Sequence, residues 1–188
     1  MRVSREQMAA NHAGILEEAS RQFRERGFDA VTVADVMKGA GLTHGGFYGH
    51  FESKDDLIAK VLQHLLARGE GPIDDLAAWQ QTYLSPKHRD EPALGCPVAS
   101  LAGLMGQQTP DARTAMAKGI ESQIERLAEA IPGSTAEERR RAAIGQWSAM
   151  VGALVLSRAV GDAPLSHELL DETLRWLDQR NHVPERTA

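Results

Sequence analysis

The chain has 188 residues, a formal charge of -5 and one cysteine, Cys96. That length serves one sizeable core or a small module joined to a larger one, and a single thiol excludes an intrachain disulfide or a CxxC metal site. No run of about 18 apolar residues offers a membrane span, and the first residues, MRVSREQMAANHAG, lack the apolar core and cleavage site of a signal peptide, so a cytosolic protein with no membrane partner is expected.

The acidic total argues against a general nucleic-acid binder, but charge has to be read by region. Residues 1–68 carry 9 Lys+Arg and 9 Asp+Glu, and residues 69–188 carry 12 and 17. Any contact with DNA must be a local patch.

In chain order the elements are all helical, because alternating β-branched runs are absent. A first helix runs from about Arg5 to Arg26, with Ile15, Ala19 and Phe23 at i, i+4, i+8, Leu16 beside them and Gly27 as C-terminal cap. Thr32 N-caps a short second helix, with Asp35 three residues on and Val33, Val36, Met37 and Ala40 as its apolar face, ending at Gly41. Thr43 then caps a third helix from His44 to about Phe51. Ser53 caps a fourth, which carries Asp55 and Asp56 in its first turn. Two short helices joined by AGL read as helix-turn-helix.

The third helix raises a question of its own. The stretch AGLTHGGFYGHF holds Gly45, Gly46 and Gly49, and each glycine inside a helix costs roughly 1 kcal/mol relative to alanine. Helical spacing puts Phe47 and Phe51 on one face, toward Phe23 and the second helix, and Gly45 and Gly49 on the other. A bare outward face lets the backbone approach bases and phosphates in a major groove. The alternative is a loop with no partner.

These residues carry a resemblance. The stretch from Ile15 to Leu57 resembles the N-terminal DNA-binding domain of the TetR family of bacterial transcriptional regulators, through Ala19, Phe23, Gly27, Phe28, Thr32, Val33, Ala40, Gly41, Gly46, Tyr48, His50, Phe51, Ser53, Lys54 and Leu57. The resemblance implies phosphate contacts from Thr32, Tyr48, His50 and Lys54, and hydroxyls, a lysine and helix N-termini are suitable donors. Base reading falls to Thr43, His44, Gly45, Gly46 and Lys38, with DNA shape contributing where glycine offers no donor. Each has a plainer reading: Tyr48 packs beside Phe47, and a Thr before a helix serves only as a cap. Arg2 and Arg5 form either a groove-reaching arm or a frayed basic terminus.

The resemblance further implies a division into a DNA-binding domain, residues 1–55, and a helical effector-binding and dimerisation domain, residues 56–188, about nine helices in all. The fourth helix continues as an apolar band of Leu57, Ile58, Val61, Leu62, Leu65 and Leu66 until Gly69 and Gly71, and would transmit ligand binding to the head. Five more helices are expected at about residues 72–84, 97–104, 110–131, 136–160 and 167–180. Pro97 and Pro110 suit first helical positions, Thr109, Thr135 and Ser166 suit caps, and Pro132 suits an end. Small residues of the eighth helix, including Gly145, Ala149 and Gly152, allow close helix approach, and Leu170, Leu174 and Leu177 line the ninth. In TetR-like proteins these helices join two subunits, so a homodimer on a palindromic operator is expected, with intrachain packing as the alternative use.

An effector site would fall between about residues 72 and 131, with Trp79, Tyr83, Cys96, Met105, Met116, Trp147 and Met150 serving as pocket walls or as core. Cys96, directly before Pro97 in a GCP sequence similar to that of some TetR-like regulators, either senses oxidants or electrophiles, or packs inertly. No P-loop, G-x-S-x-G, G-x-G-x-x-G or H-E-x-x-H occurs, and His88, Asp90 and Cys96 match no metal signature, so no enzyme, cofactor or metal is expected. Two functions remain. One is a ligand-released dimeric repressor on double-stranded operator DNA; the other is a helical binding module without an operator, favoured by the neutral N-terminal third.

Overall fold

In the computed structural model the described residues are 4–67 and 71–181, and they form nine α-helices and two 3₁₀ helices with no strand. The helices are α1 (Arg5–Arg26), α2 (Val33–Gly39), α3 (Lys54–Ala67), α4 (Leu76–Tyr83), α5 (Pro86–Asp90), α6 (Pro97–Leu101), α7 (Pro110–Ala130), α8 (Ala136–Ala159) and α9 (Pro164–Asn181). The 3₁₀ helices are His44–Gly49 and Ala102–Gln107. Among the described residues no helix is long and apolar enough to cross a membrane. Arg2 and Gly69 lie outside the described residues, and Arg5 is the exposed first residue of α1.

Backbone packing divides the chain into two compact units. The first joins residues up to 68 with 92–119; the second joins 69–91 with residues from 120 on. A division at residues 55 and 56 would fall inside α3, so the packing follows other boundaries than the functional division read from the sequence.

In the first unit, Ser4 caps α1 by accepting from the Gln7 N–H, and Gly27 ends it at φ +77°, a left-handed conformation that side chains resist. Ile15, Ala19 and Phe23 are fully buried at four-residue spacing, and Phe28 meets Phe23 edge-on at 5.3 Å. Burying each such large side chain is worth roughly 1.5–3 kcal/mol. Gly41, at φ +71°, turns the chain out of α2. The segment 92–119 closes this unit: Arg24 donates to the Gly95 carbonyl at 2.9 Å, Leu101 is fully buried, and Gly119 of α7 faces Leu66 of α3.

In the second unit α8 and α9 pack together with α4, α5 and the second half of α7. Thr135 and Glu138 form a reciprocal capping box at the start of α8. Three amides close a ring: Gln80 donates to Gln146 at 2.8 Å, Gln146 to Asn181 at 3.1 Å, and Asn181 back to Gln80 at 3.0 Å. Gln80 and Gln146 are buried, so each satisfies the other's polar group away from water. Arg89 is buried as well. It donates to Ser166 Oγ at 2.8 Å and grips Asp90 with two nitrogens, while Arg158 donates to the carbonyls of His88 and Arg89.

Several boundaries differ from the sequence reading. Residues 72–75 precede α4, which is shorter than expected because Asp75 caps it, accepting from the Ala78 N–H at 2.9 Å. Helix α5 was not anticipated, although Ser85 caps it and Pro86 opens it. The sixth helix relaxes into a 3₁₀ helix after Leu101. Ser166 is not a cap: α9 starts two residues earlier, at Pro164, and the Ser166 hydroxyl is buried and donates to the Ser157 carbonyl.

Candidate DNA-binding surface

The head is built on Thr32 and Phe47. Thr32 Oγ1 accepts from the Asp35 N–H at 3.1 Å and donates to Asp35 Oδ2 at 2.6 Å, while the Thr32 N–H donates to the same carboxylate at 2.9 Å. The Thr32 hydroxyl, and then its backbone N–H, hold the Asp35 carboxyl below the usual carboxylate range. This capping box fixes α2 but commits the Thr32 hydroxyl proton to Asp35, so a phosphate would have to compete for it.

The expected third α-helix is a 3₁₀ helix ending at Gly49, and Thr43 makes no side-chain capping bond. Three glycines among six residues supply too little helix propensity to hold α geometry against the tighter turn. The distribution of faces survives. Phe47 and Phe51 are buried and stack at 5.5 Å, whereas a Cβ at Gly45 or Gly49 would meet nothing within 4 Å. Gly46 is closer in, where a Cβ would touch Met37 Cε at 3.6 Å. Tyr48 meets Phe47 edge-on at 5.3 Å yet keeps 70% of its surface exposed. Packing beside Phe47 and reaching a partner are therefore compatible uses of the same ring.

Thr43, His44, Gly45, Gly46, Tyr48 and Lys38 are all exposed; His50 and Lys54 are half-buried. Lys54 opens α3, which Ser53 caps by accepting from the Asp56 N–H at 3.1 Å. Free backbone N–H groups at that helix start favour anions. The His50 ring lies 5.9 Å from that of His12, a residue the sequence reading passed over.

The residues named for an effector pocket divide between the units. Cys96, Met105 and Met116 belong to the first; Trp79, Tyr83, Trp147 and Met150 belong to the second. Cys96 is half-buried, directly before the five-residue α6. In the second unit Trp79 and Tyr83 lie 5.5 Å apart, the Arg126 guanidinium stands 5.6 Å from the Trp79 ring, and Arg126 donates to Gln123 Oε1 at 3.1 Å. Trp147 Nε1 and Gln123 Nε2 are buried donors with no acceptor among the described residues. The signal for Gln123, and for Gln80 and Gln146 of the amide ring, was a glutamine at an otherwise inward helical position.

Leu170 and Leu177 are buried in their own unit, which favours intrachain packing as their use, and Leu174 is half-buried. The exposed apolar residues of α8 and α9 are instead Ile144, Val155, Leu156, Leu165 and Trp176, alongside exposed Gly145 and half-buried Ala149 and Gly152. A shallow groove of about 250 Å³ is lined by Ala149, Glu172, Thr173 and Trp176.

A capped helix, a glycine-led turn and a second short helix with an outward tyrosine define a helix-turn-helix head of the DNA-binding class. The model of the family described as "Bacterial regulatory proteins, tetR family" matches residues 15–61, the segment that holds this head. The repressor KstR2 of Mycobacterium tuberculosis is 38% identical over 60 residues, 32% of this chain and 30% of that protein. The regulator TtgR of Pseudomonas putida is 33% identical over 93 residues, 45% of this chain and 44% of that protein. The chain thus spans less than half the length of these curated relatives, both of them described as transcriptional regulators. Beyond the head the likeness is one of fold. The reduced form of E. coli NemR superimposes with a TM-score of 0.72 at 21% identity, covering 90% of this chain and 96% of that one. A TetR-family regulator from Cytophaga hutchinsonii superimposes with a TM-score of 0.74 at 17% identity, covering 100% of both chains.

Proposed function

We propose that the chain is a cytoplasmic, homodimeric transcriptional repressor that holds a palindromic operator through residues 32–54 and releases it when a small molecule binds within residues 56–188. The observation that carries the reading is the outward face of the 3₁₀ helix, where Gly45 and Gly49 stand bare beside an exposed Tyr48 on a buried Phe47. Such a face lets backbone reach a groove that side chains would hold off. Tyr48, His50 and Lys54 then contact phosphates; Lys38, Thr43 and His44 face bases with Gly45 and Gly46. Thr32 joins the phosphate set once its hydroxyl turns from Asp35.

The effector reading is supported by Trp79, Tyr83, Trp147 and Met150, with Trp147 Nε1 and Gln123 Nε2 as buried donors that a ligand oxygen would satisfy. Effector and operator oppose each other by linkage: a ligand that favours the released state must bind less well once DNA is held.

The neutral charge of residues 1–68 favours a second reading, a helical binding module with no operator. Selection from a random duplex pool separates the two. The repressor enriches one palindrome, binds it with a steep salt dependence, and loses at least about tenfold in affinity with Tyr48→Ala while its fold is kept. Enrichment of no sequence, or full affinity in Tyr48→Ala, overturns the repressor reading.

A further inference from the structure

The surroundings of His50 hold a second histidine that the family pattern does not mark. His12, on α1, lies three residues ahead of the matched segment. Its ring stacks on Phe51 with centroids 4.8 Å apart and planes at 17°, and its centroid is 5.9 Å from that of His50. Phe51 is itself buried and stacked on Phe47, so the platform under His12 belongs to the core of the head. From α3, Lys60 Nζ stands 5.3 Å from the Phe51 centroid and pairs with Asp56 at 2.8 Å. One turn further along α3, His64 Nε2 is 3.7 Å from Glu17 of α1.

The charges acting on His12 are therefore His50, the α3 groups Lys60 and His64, and one carboxylate, Asp56; Glu17 is turned toward His64. Burial first, and then His50 and Lys60, hold the His12 imidazole below its ordinary value, with Asp56 opposing them. A phosphate oxygen at His50 adds negative charge beside the His12 ring and makes its protonation easier.

We propose that His12 is a positioning residue for the operator contact of His50, and that operator binding takes up a proton at His12. The inference rests on the reading of His50 as a phosphate contact. Because binding raises the proton affinity of His12, operator affinity is greatest where His12 is protonated both free and bound. It declines as the pH rises through the bound-state value. One linked proton can change affinity by at most about tenfold per pH unit, and a single charge near the surface gives less, so a total change of about three- to tenfold is expected between pH 6 and pH 8.

The experiment measures affinity for the selected operator from pH 5.5 to 8 at fixed ionic strength, for wild type, His12→Phe and His50→Gln. His12→Phe keeps a ring on Phe51 and removes the proton site. Wild type should lose about three- to tenfold in affinity from pH 6 to 8, and His12→Phe should lose at least half of that dependence while still binding at pH 8. In parallel, the His12 imidazole resonance of the wild-type protein is titrated with and without operator, and its midpoint should rise on binding; this readout needs no variant to fold. An unchanged His12 midpoint, or a His12→Phe profile as steep as wild type, overturns the proposal and leaves the phosphate reading of His50 standing. Full affinity in His50→Gln at every pH overturns that reading, and the proposal with it.

Discussion

At Gly45 the chain carries no side chain in a place where the fold would accept one. A Cβ there meets nothing within 4 Å, and the backbone does not take the left-handed conformation found at Gly27, Gly41 and Gly161. Neither space nor backbone angle requires glycine, which separates this position from the structural glycines around it. Gly45→Leu should therefore keep its melting temperature within about 2 °C, as surface substitutions away from strained sites do. It should also lower operator affinity at least about tenfold, because a branched side chain at the leading end of the 3₁₀ helix would stand between backbone and groove. Melting curves and operator titration on the same sample check both halves; affinity equal to wild type would mean that this face does not enter the groove.

Among the helices, Gly119 answers to the opposite demand. A Cβ on it would lie 2.5 Å from Leu66 Cβ and 2.7 Å from both Leu66 Cδ atoms, so α7 and α3 approach too closely for any side chain. Alanine gains about 1 kcal/mol of helix propensity, but forcing atoms into a packed contact costs about 1–3 kcal/mol. Gly119→Ala should be net destabilising by about 1 kcal/mol in urea unfolding. Gly14→Ala, on an exposed turn of α1 with nothing within 4 Å, should be stabilising by a similar amount. Leu66→Ala, which removes both Cδ contacts but keeps the Cβ at 2.5 Å, should rescue only part of the Gly119→Ala loss. This contact was invisible in the sequence, where Gly119 is one small residue between Lys118 and Ile120, because nothing local records which helix will lie against it. Caps were legible for the opposite reason. Thr32, Ser53 and Thr135 act on backbone groups three residues away, and the sequence reading placed α1, α2, α3, α7 and α8 to within a residue or two of where they lie. Ser166 looks the same on paper, yet its partners are Arg89 and Ser157, far along the chain, and these draw it inside the helix.

For the whole molecule the decisive surface is the outer face of α8 and α9. The sequence offered two sets of candidates there, small residues on α8 and leucines on α9, and periodicity alone could not tell an inward leucine from an outward one. Leu170 and Leu177 went to the core, and Leu156, at 54% exposure, stayed outside with Ile144, Val155, Leu165 and Trp176. That contrast makes a paired test. Leu156→Asp puts a charge where only a second copy would exclude water, so the variant should fold with an unchanged circular-dichroism spectrum but sediment as a monomer, whereas wild type should sediment at twice the mass of one chain. Leu170→Asp puts the same charge in the intrachain core and should unfold the chain instead, since an unpaired buried carboxylate costs several kcal/mol. A dimer binds two half-sites of a palindrome with one translational cost, so the Leu156→Asp monomer should also bind the operator at least about a hundredfold more weakly while keeping the half-site contacts of its single head. If Leu156→Asp remains a dimer with full operator affinity, α8 is not the face on which two copies meet.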